Sequence, residues 1–158
     1  MTRRARDVVV TVQNVAAGAA APAPAELRKW ARAALTGDVR GELTVRIVGE
    51  HESAELNARY RGKAGPTNVL SFRAEAPPVM AGGELLPYGD VVICAAVVER
   101  EAREQGKRPA AHWAHMVVHG ALHLQGYDHE NRRDRGLMEA RERAVLDSLG
   151  FPDPYSIK

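Results

Sequence analysis

The sequence predicts an α+β fold: a small four-stranded mixed sheet packed with about five helices, the histidine-bearing helix central. Strand-like and helix-like segments follow one another in the order βαβαββααα, which gives helices layered on a sheet. The two early helical segments each stand between strands, as in βαβ units, whose crossovers are right-handed. One segment, 110–125, is apolar on several sides through Trp113, Met116, Val117, Val118 and Leu122, which places it inside.

Val8-Val9-Val10-Thr11-Val12 is β-branched throughout and predicts the first strand. An Ala/Gly/Pro-rich turn over 16–25 follows. A helix over 24–35 carries Leu27, Trp30, Ala31, Ala34 and Leu35 at helical spacing, and Thr36-Gly37-Asp38 stops it. Leu43-Thr44-Val45-Arg46-Ile47-Val48 alternates as a second strand. Residues 50–60 form a second helix, with Ala54, Leu56 and Tyr60 among polar neighbours, and a basic Gly/Pro-bearing loop covers 61–66. Asn68-Val69-Leu70-Ser71-Phe72 is the third strand. Residues 76–88 are a Pro/Gly-rich, mobile connection. The fourth strand spans 91–95 and a helix 96–105. Arg108-Pro109 starts the central helix, and 132–149 is a last, heavily charged amphipathic helix. An irregular tail over 151–158 holds two prolines.

The chain of 158 residues fits one domain, 1–158, with a full hydrophobic core. Hydrophobic residues at 45% and charged residues at 27% are those of an ordinary globular protein. A net charge of +2 is too small to signal nucleic-acid binding by itself, so any basic surface is local. The single cysteine, Cys94, excludes an intrachain disulfide and a cysteine-built zinc site; it reads as a small buried hydrophobe. Met1-Thr2-Arg3-Arg4-Ala5-Arg6 imitates the start of an export signal, but Asp7, Gln13 and Asn14 interrupt the apolar run that must follow. No apolar run approaches ~20 residues, so a cytoplasmic protein without membrane association is expected.

The chemistry concentrates in His119-Gly120-Ala121-Leu122-His123-Leu124-Gln125-Gly126-Tyr127-Asp128-His129. His119 and His123 lie one turn apart on one helix face. Gly126 can leave the helix through φ > 0 and bring His129 back as a third ligand. Three neutral imidazoles suit Zn²⁺, although Ni²⁺ and Cu²⁺ also favour them, and three ligands leave a coordination position open. The spacing overlays the H-E-x-x-H-x-x-G-x-x-H run of metzincin proteases, with Gly120 where those enzymes carry their general base. His112 and His115 are expected to pack or to donate to backbone carbonyls, and His51 to be solvated.

A second constellation lies upstream: Arg59, Arg61 and Lys63 fall within five residues, beside Gly65-Pro66-Thr67-Asn68-Val69-Leu70-Ser71-Phe72. By composition alone this is a solvated basic turn. Together with the histidine run, Tyr60-Arg61-Gly62 and Gly89-Asp90-Val91-Val92-Ile93-Cys94, it resembles the YbeY endoribonucleases, bacterial rRNA maturation factors, from about residue 40 to Asp153-Pro154-Tyr155. The resemblance implies a zinc-dependent, single-strand-directed endoribonuclease acting in 16S rRNA 3′-end processing and ribosome quality control. Its partners are then single-stranded RNA (the 16S rRNA precursor) and the small ribosomal subunit with its assembly factors. The resemblance carries one Zn²⁺ per chain on His119, His123 and His129, and a functionally important basic residue at Arg61.

Such an activity is physically reasonable. Zn²⁺ polarises a phosphoryl oxygen, and the planar Arg61 fork suits a phosphodiester. Arg59, Lys63 and Arg73 are further candidates to hold an RNA backbone. Asp128 is expected to orient a ligand histidine rather than act as base; Asp90 and Glu130 are the other acid/base candidates. Tyr60 and Tyr127 are expected to pack against the motif helix rather than to stack a base. The rival readings are a metzincin-like zinc protease and a non-catalytic ribosome assembly factor.

Overall fold

The computed structural model describes residues 8–16, 18, 20–37, 39–75 and 86–156. Most of the connection expected over 76–88, the start of the N-terminal segment, parts of the 16–25 turn, Asp38 of the expected helix stop and the end of the tail lie outside them. The elements are β1 (Val8–Asn14), α1 (Pro24–Ala34), β2 (Gly41–Val48), α2 (Glu50–Arg61), β3 (Val69–Arg73), β4 (Pro87–Cys94), α3 (Ala95–Gln105), α4 (Pro109–Leu124) and α5 (Arg132–Ser148). The sheet is mixed, in the order β1-β2-β4-β3, with β1, β2 and β4 parallel and β3 antiparallel to β4.

The fourth strand begins earlier than the expected 91, because Pro87 and Gly89 are both tolerated there. Pro87 is the first residue of β4, where a missing N–H is least costly. Gly89 sits where α4 comes down on the sheet: a Cβ there would lie 2.8 Å from Leu124 Cδ2 and 2.8 Å from the Phe72 carbonyl oxygen.

One sheet face packs against α1 and α4, and α5 packs against those two helices. Leu27, Leu43, Val45, Ile47, Ile93, Trp113, Val117 and Leu122 form the middle of that core. Helix α4 touches α1, α3, α5, β3 and β4, the central place its apolar sides require. A smaller cluster of Val48, Leu70, Val92, Cys94 and Val97 lies apart from it, with Leu56 and Phe72 packed against it, and Cys94 is buried as expected. Helix α2 does not bury the residues its sequence suggests. Its buried positions are Ser53 and Asn57, and Tyr60 is 59% exposed. They are buried because they hold the following loop: Ser53 Oγ bonds the backbone of Thr67, and Asn57 Nδ2 donates to Gly65 O at 2.9 Å. Among the described residues no helix is long and apolar enough to cross a membrane.

Candidate metal centre

His119 and His123 project from the last turns of α4, their rings stacked with centroids 6.4 Å apart. The helix ends at Leu124, whose carbonyl accepts from Arg73 Nε and Nη2 at 3.1 and 2.8 Å and from the Tyr88 hydroxyl at 3.3 Å. Gly126, at φ 99°, turns the chain out of the helix as its position in the motif predicts. The turn brings the His129 ring to 5.5 Å from His119 and 5.8 Å from His123. Three imidazoles around one ion, with metal–nitrogen bonds of about 2 Å, need a triangle of about this size.

The protons are set by the surroundings. His123 Nδ1 donates to the Tyr127 carbonyl at 2.7 Å, and His119 Nδ1 donates to Glu142 Oε2 at 2.5 Å. A carbonyl and a carboxylate only accept, so both rings carry a proton on Nδ1, and Nε2 is the nitrogen left to ligate. His129 Nδ1 is buried with no hydrogen-bond partner. Burial lowers the His129 pKa, and repulsion from His119, His123 and the Arg61 guanidinium adds to it, against attraction from Asp128. Neutral rings with open lone pairs are what a divalent cation requires. Donor atoms within 4.8 Å of one another fall into two groups among the described residues, His115–His119–Glu142 and His123–Asp128–His129, and either can hold a metal ion.

Glu142 is the residue that sequence reasoning missed. It belongs to the heavily charged α5, yet it is fully buried. Burial pushes its carboxyl pKa up, but hydrogen bonds from His115 and His119 outweigh that and leave it at about 2. The signal was present: Glu142 stands on the stripe of Met138, Val145 and Leu146, the buried face of α5. The orienting role expected of Asp128 falls instead to Glu142 for His119 and to the Tyr127 carbonyl for His123. Asp128 Oδ1 accepts from the His129 backbone N–H at 2.7 Å.

Other expectations change in the same way. His112 and His115 are packed in the interior, as expected, but their polar partners are side chains and not backbone carbonyls: His112 Nε2 is 2.9 Å from Glu101, and His115 Nε2 is 3.3 Å from the Tyr155 hydroxyl. His51 is exposed beside Glu55, as expected. Arg61 is the last residue of α2 rather than part of a loop, with Gly62 capping the helix at φ 66°. It is exposed, as are Arg59 and Lys63. Arg73 is committed to the Leu124 carbonyl. Asp90 follows Gly89, which faces Leu124, so the alternation of the strand turns Asp90 to the opposite sheet face, away from the histidines. Glu130 is exposed one residue beyond His129. Tyr127 is partly buried against the core, whereas Tyr60 meets Phe72 edge-on at 5.0 Å rather than the motif helix.

Gly120 faces the sheet. A Cβ there would lie 2.5 Å from Val91 Cγ1 and 3.2 Å from Ser71 Oγ and Val69 Cγ2, and its carbonyl accepts from Ser71 Oγ at 2.9 Å. Helix α4 therefore has no room at this position for the glutamate of a metzincin.

Residues 11–150 match the family model described as endoribonuclease YbeY. A protein of that name from Halorhodospira halophila is 55% identical over 150 residues, covering 94% of this chain and 97% of that protein. One from Methylococcus capsulatus is 55% identical over 146 residues, covering 92% and 94%, and one from Nitrosococcus oceani 48% over 149, covering 94% and 97%. The solution structure of a Thermotoga maritima protein superposes with a TM-score of 0.50 at 25% identity, covering 94% of this chain and all of that one.

Proposed function

The chain belongs to the YbeY endoribonuclease family, and from that premise we propose that its cleavage is zinc-dependent, directed at single-stranded RNA, and serves 16S rRNA 3′-end maturation and ribosome quality control. This reading puts it in the cytoplasm, in contact with the small ribosomal subunit and its assembly factors. One observation carries the metal assignment: the rings of His119, His123 and His129 converge, and two of them hold a proton on Nδ1, bonded away from the cluster. In the donor group His115–His119–Glu142 the carboxylate holds His119 through Nδ1, which leaves His119 Nε2 to join His123 and His129 of the other group.

Zn²⁺ in this set supplies positive charge to a phosphodiester whose own charge grows during cleavage. The chain's residues do the rest. Arg61 is exposed, and its charge reaches His129, so its planar fork is available to a phosphate beside the ring cluster. Arg59 and Lys63 extend that cation line along the end of α2 and hold the backbone on either side. The tight approach of α4 to β3 and β4 at Gly120 leaves no general base of the peptidase kind. A flexible strand reaches rings at the end of a buried helix, whereas a duplex presents its phosphates on a stiff cylinder.

The test is metal analysis and nuclease assay on one sample of purified protein. Zinc near one equivalent is expected. Single-stranded RNA should be cut in preference to duplex, with cleavage falling with added salt and stopping with chelator. Casein should be left intact. Casein hydrolysis without RNA cleavage, or RNA cleavage that survives replacement of all three histidines, would refute the assignment.

A further inference from the structure

The C-terminal segment reaches the candidate metal centre from behind, through a chain of part-buried hydrogen bonds. The Tyr155 hydroxyl donates to Glu142 Oε1 at 2.5 Å, while Glu142 Oε2 accepts from His119 Nδ1 at 2.5 Å. His115 Nε2 lies 3.3 Å from the Tyr155 oxygen and 3.4 Å from Glu142 Oε2. The Tyr155 ring meets His115 edge-on at 5.3 Å and lies under the Arg143 guanidinium at 5.4 Å. The segment is also pinned through its backbone. Asp153 Oδ1 accepts from the Tyr155 N–H at 2.8 Å, Asp153 pairs with Arg143, and Lys107 Nζ donates to the Pro154 carbonyl at 3.0 Å.

A fully buried carboxylate is a poor way to stabilise a core. A well-packed apolar side chain of similar volume is often as good or better. What the carboxylate does here is select a proton position and a ring orientation. It only accepts, so His119 must keep a proton on Nδ1 and leave Nε2 to the histidine cluster. Glu142 has two histidines within reach, however, and a carboxylate free to rotate would serve either. Tyr155 removes that freedom. Its hydroxyl occupies Oε1, which commits Oε2 to His119, and its oxygen is the nearer acceptor for the His115 Nε2 proton. His115 Nδ1, buried with no partner, is the bare nitrogen this arrangement leaves.

We propose that Tyr155 is a positioning residue of the metal centre: by locking Glu142 it fixes the tautomer and orientation of His119, so the folded C-terminal segment sets metal affinity. The inference rests on the three-histidine reading.

The experiment uses the full chain and Zn²⁺ alone as the probe. Wild type, Tyr155→Phe and Glu142→Gln are compared by chelator competition for affinity, emission spectrometry for stoichiometry and thermal melting of the metal-free protein. A ¹H–¹⁵N spectrum of the imidazole region reads the His119 Nδ1 proton directly. Glu142→Gln should weaken Zn²⁺ binding about 10–100-fold, the range for groups that support a ligand. Tyr155→Phe keeps the ring against His115 and Arg143 and should weaken binding by about 3–10-fold. Its metal-free Tm should stay within about 2 °C of wild type, and the His119 Nδ1 proton signal should move or broaden. A purely structural tyrosine gives the reverse, a lower Tm with unchanged affinity. If Glu142→Gln does not fold, Tyr155→Phe decides alone. Affinity within about twofold of wild type in Tyr155→Phe, with an unmoved proton signal, overturns the positioning role and leaves the metal centre standing. A wild type that takes up no zinc overturns the three-histidine reading and this inference with it.

Discussion

Gly120→Ala tests whether the sheet, and not chance, keeps position 120 empty. Alanine is a better helix former than glycine by about 0.8–1 kcal/mol, so in an open helix the substitution stabilises. Here the new methyl would stand 2.5 Å from Val91 Cγ1, on a fully buried residue of β4, a strand paired on both sides. Overpacking of this kind costs about 1–3 kcal/mol, and contacts at 3.2 Å with Val69 and Ser71 close off the lateral escape. The net effect is a destabilisation of up to about 2 kcal/mol, a fall in Tm of up to about 8 °C for a domain of this size. Gly136 supplies the matched control. It also lies in a helix, α5, but a Cβ there meets nothing within 4 Å. Gly136→Ala should therefore raise Tm by about 2–4 °C. Thermal melting of both variants, metal-free and zinc-loaded, is the assay. If the two substitutions shift Tm in the same direction, the close approach of α4 to the sheet is wrong, and with it the steric reason why the chain lacks a peptidase base.

Three further outcomes follow from the same geometry. His123→Ala should lose stoichiometric zinc, measured by emission spectrometry, because removing one of three ligands leaves a pair that cannot hold the ion; full retention would remove His123 from the site. Arg61→Glu should leave Tm within about 3 °C of wild type, since the side chain is exposed at a helix end, yet abolish most ribonuclease activity; unchanged cleavage would strip Arg61 of its role. Arg73→Ala removes two of the three donors on the Leu124 carbonyl, at a cost of about 1 kcal/mol given the exposure of Arg73. It should also weaken zinc binding by loosening the turn that carries His129, a result read by chelator competition, and unaltered affinity would show that Tyr88 suffices as the cap.

Sequence and structure agree where local pattern decides. The order of elements, the central helix and the turn at Gly126 were all legible, because helix period, β-branching and glycine freedom act over a few residues. The disagreements are of one kind. Pro87 read as part of the connection and Gly89 lay before the expected strand, yet the first is harmless at a strand start and the second is required by the descent of α4. Arg73 read as a phosphate ligand, but its guanidinium is held by a helix carbonyl. Ser53 and Asn57 are among the polar residues of their helix, but the loop they bind buries them.

The sequence by itself determined which histidine rings come together. The spacing of His119 and His123 on one helix face, and a glycine able to reverse the chain before His129, are properties of the local backbone that survive in any packing. Only the tertiary structure decided how those side chains are held. Glu142 and Tyr155 come from other parts of the chain and meet the histidines because α5 and the C-terminal segment pack against α4, and Gly120 is confined by strands that lie far away in sequence. Long-range contacts of this sort leave no periodic trace. What they leave is a single residue out of keeping with its neighbours, such as the glutamate on the apolar stripe of α5, whose meaning depends on what the fold brings opposite to it.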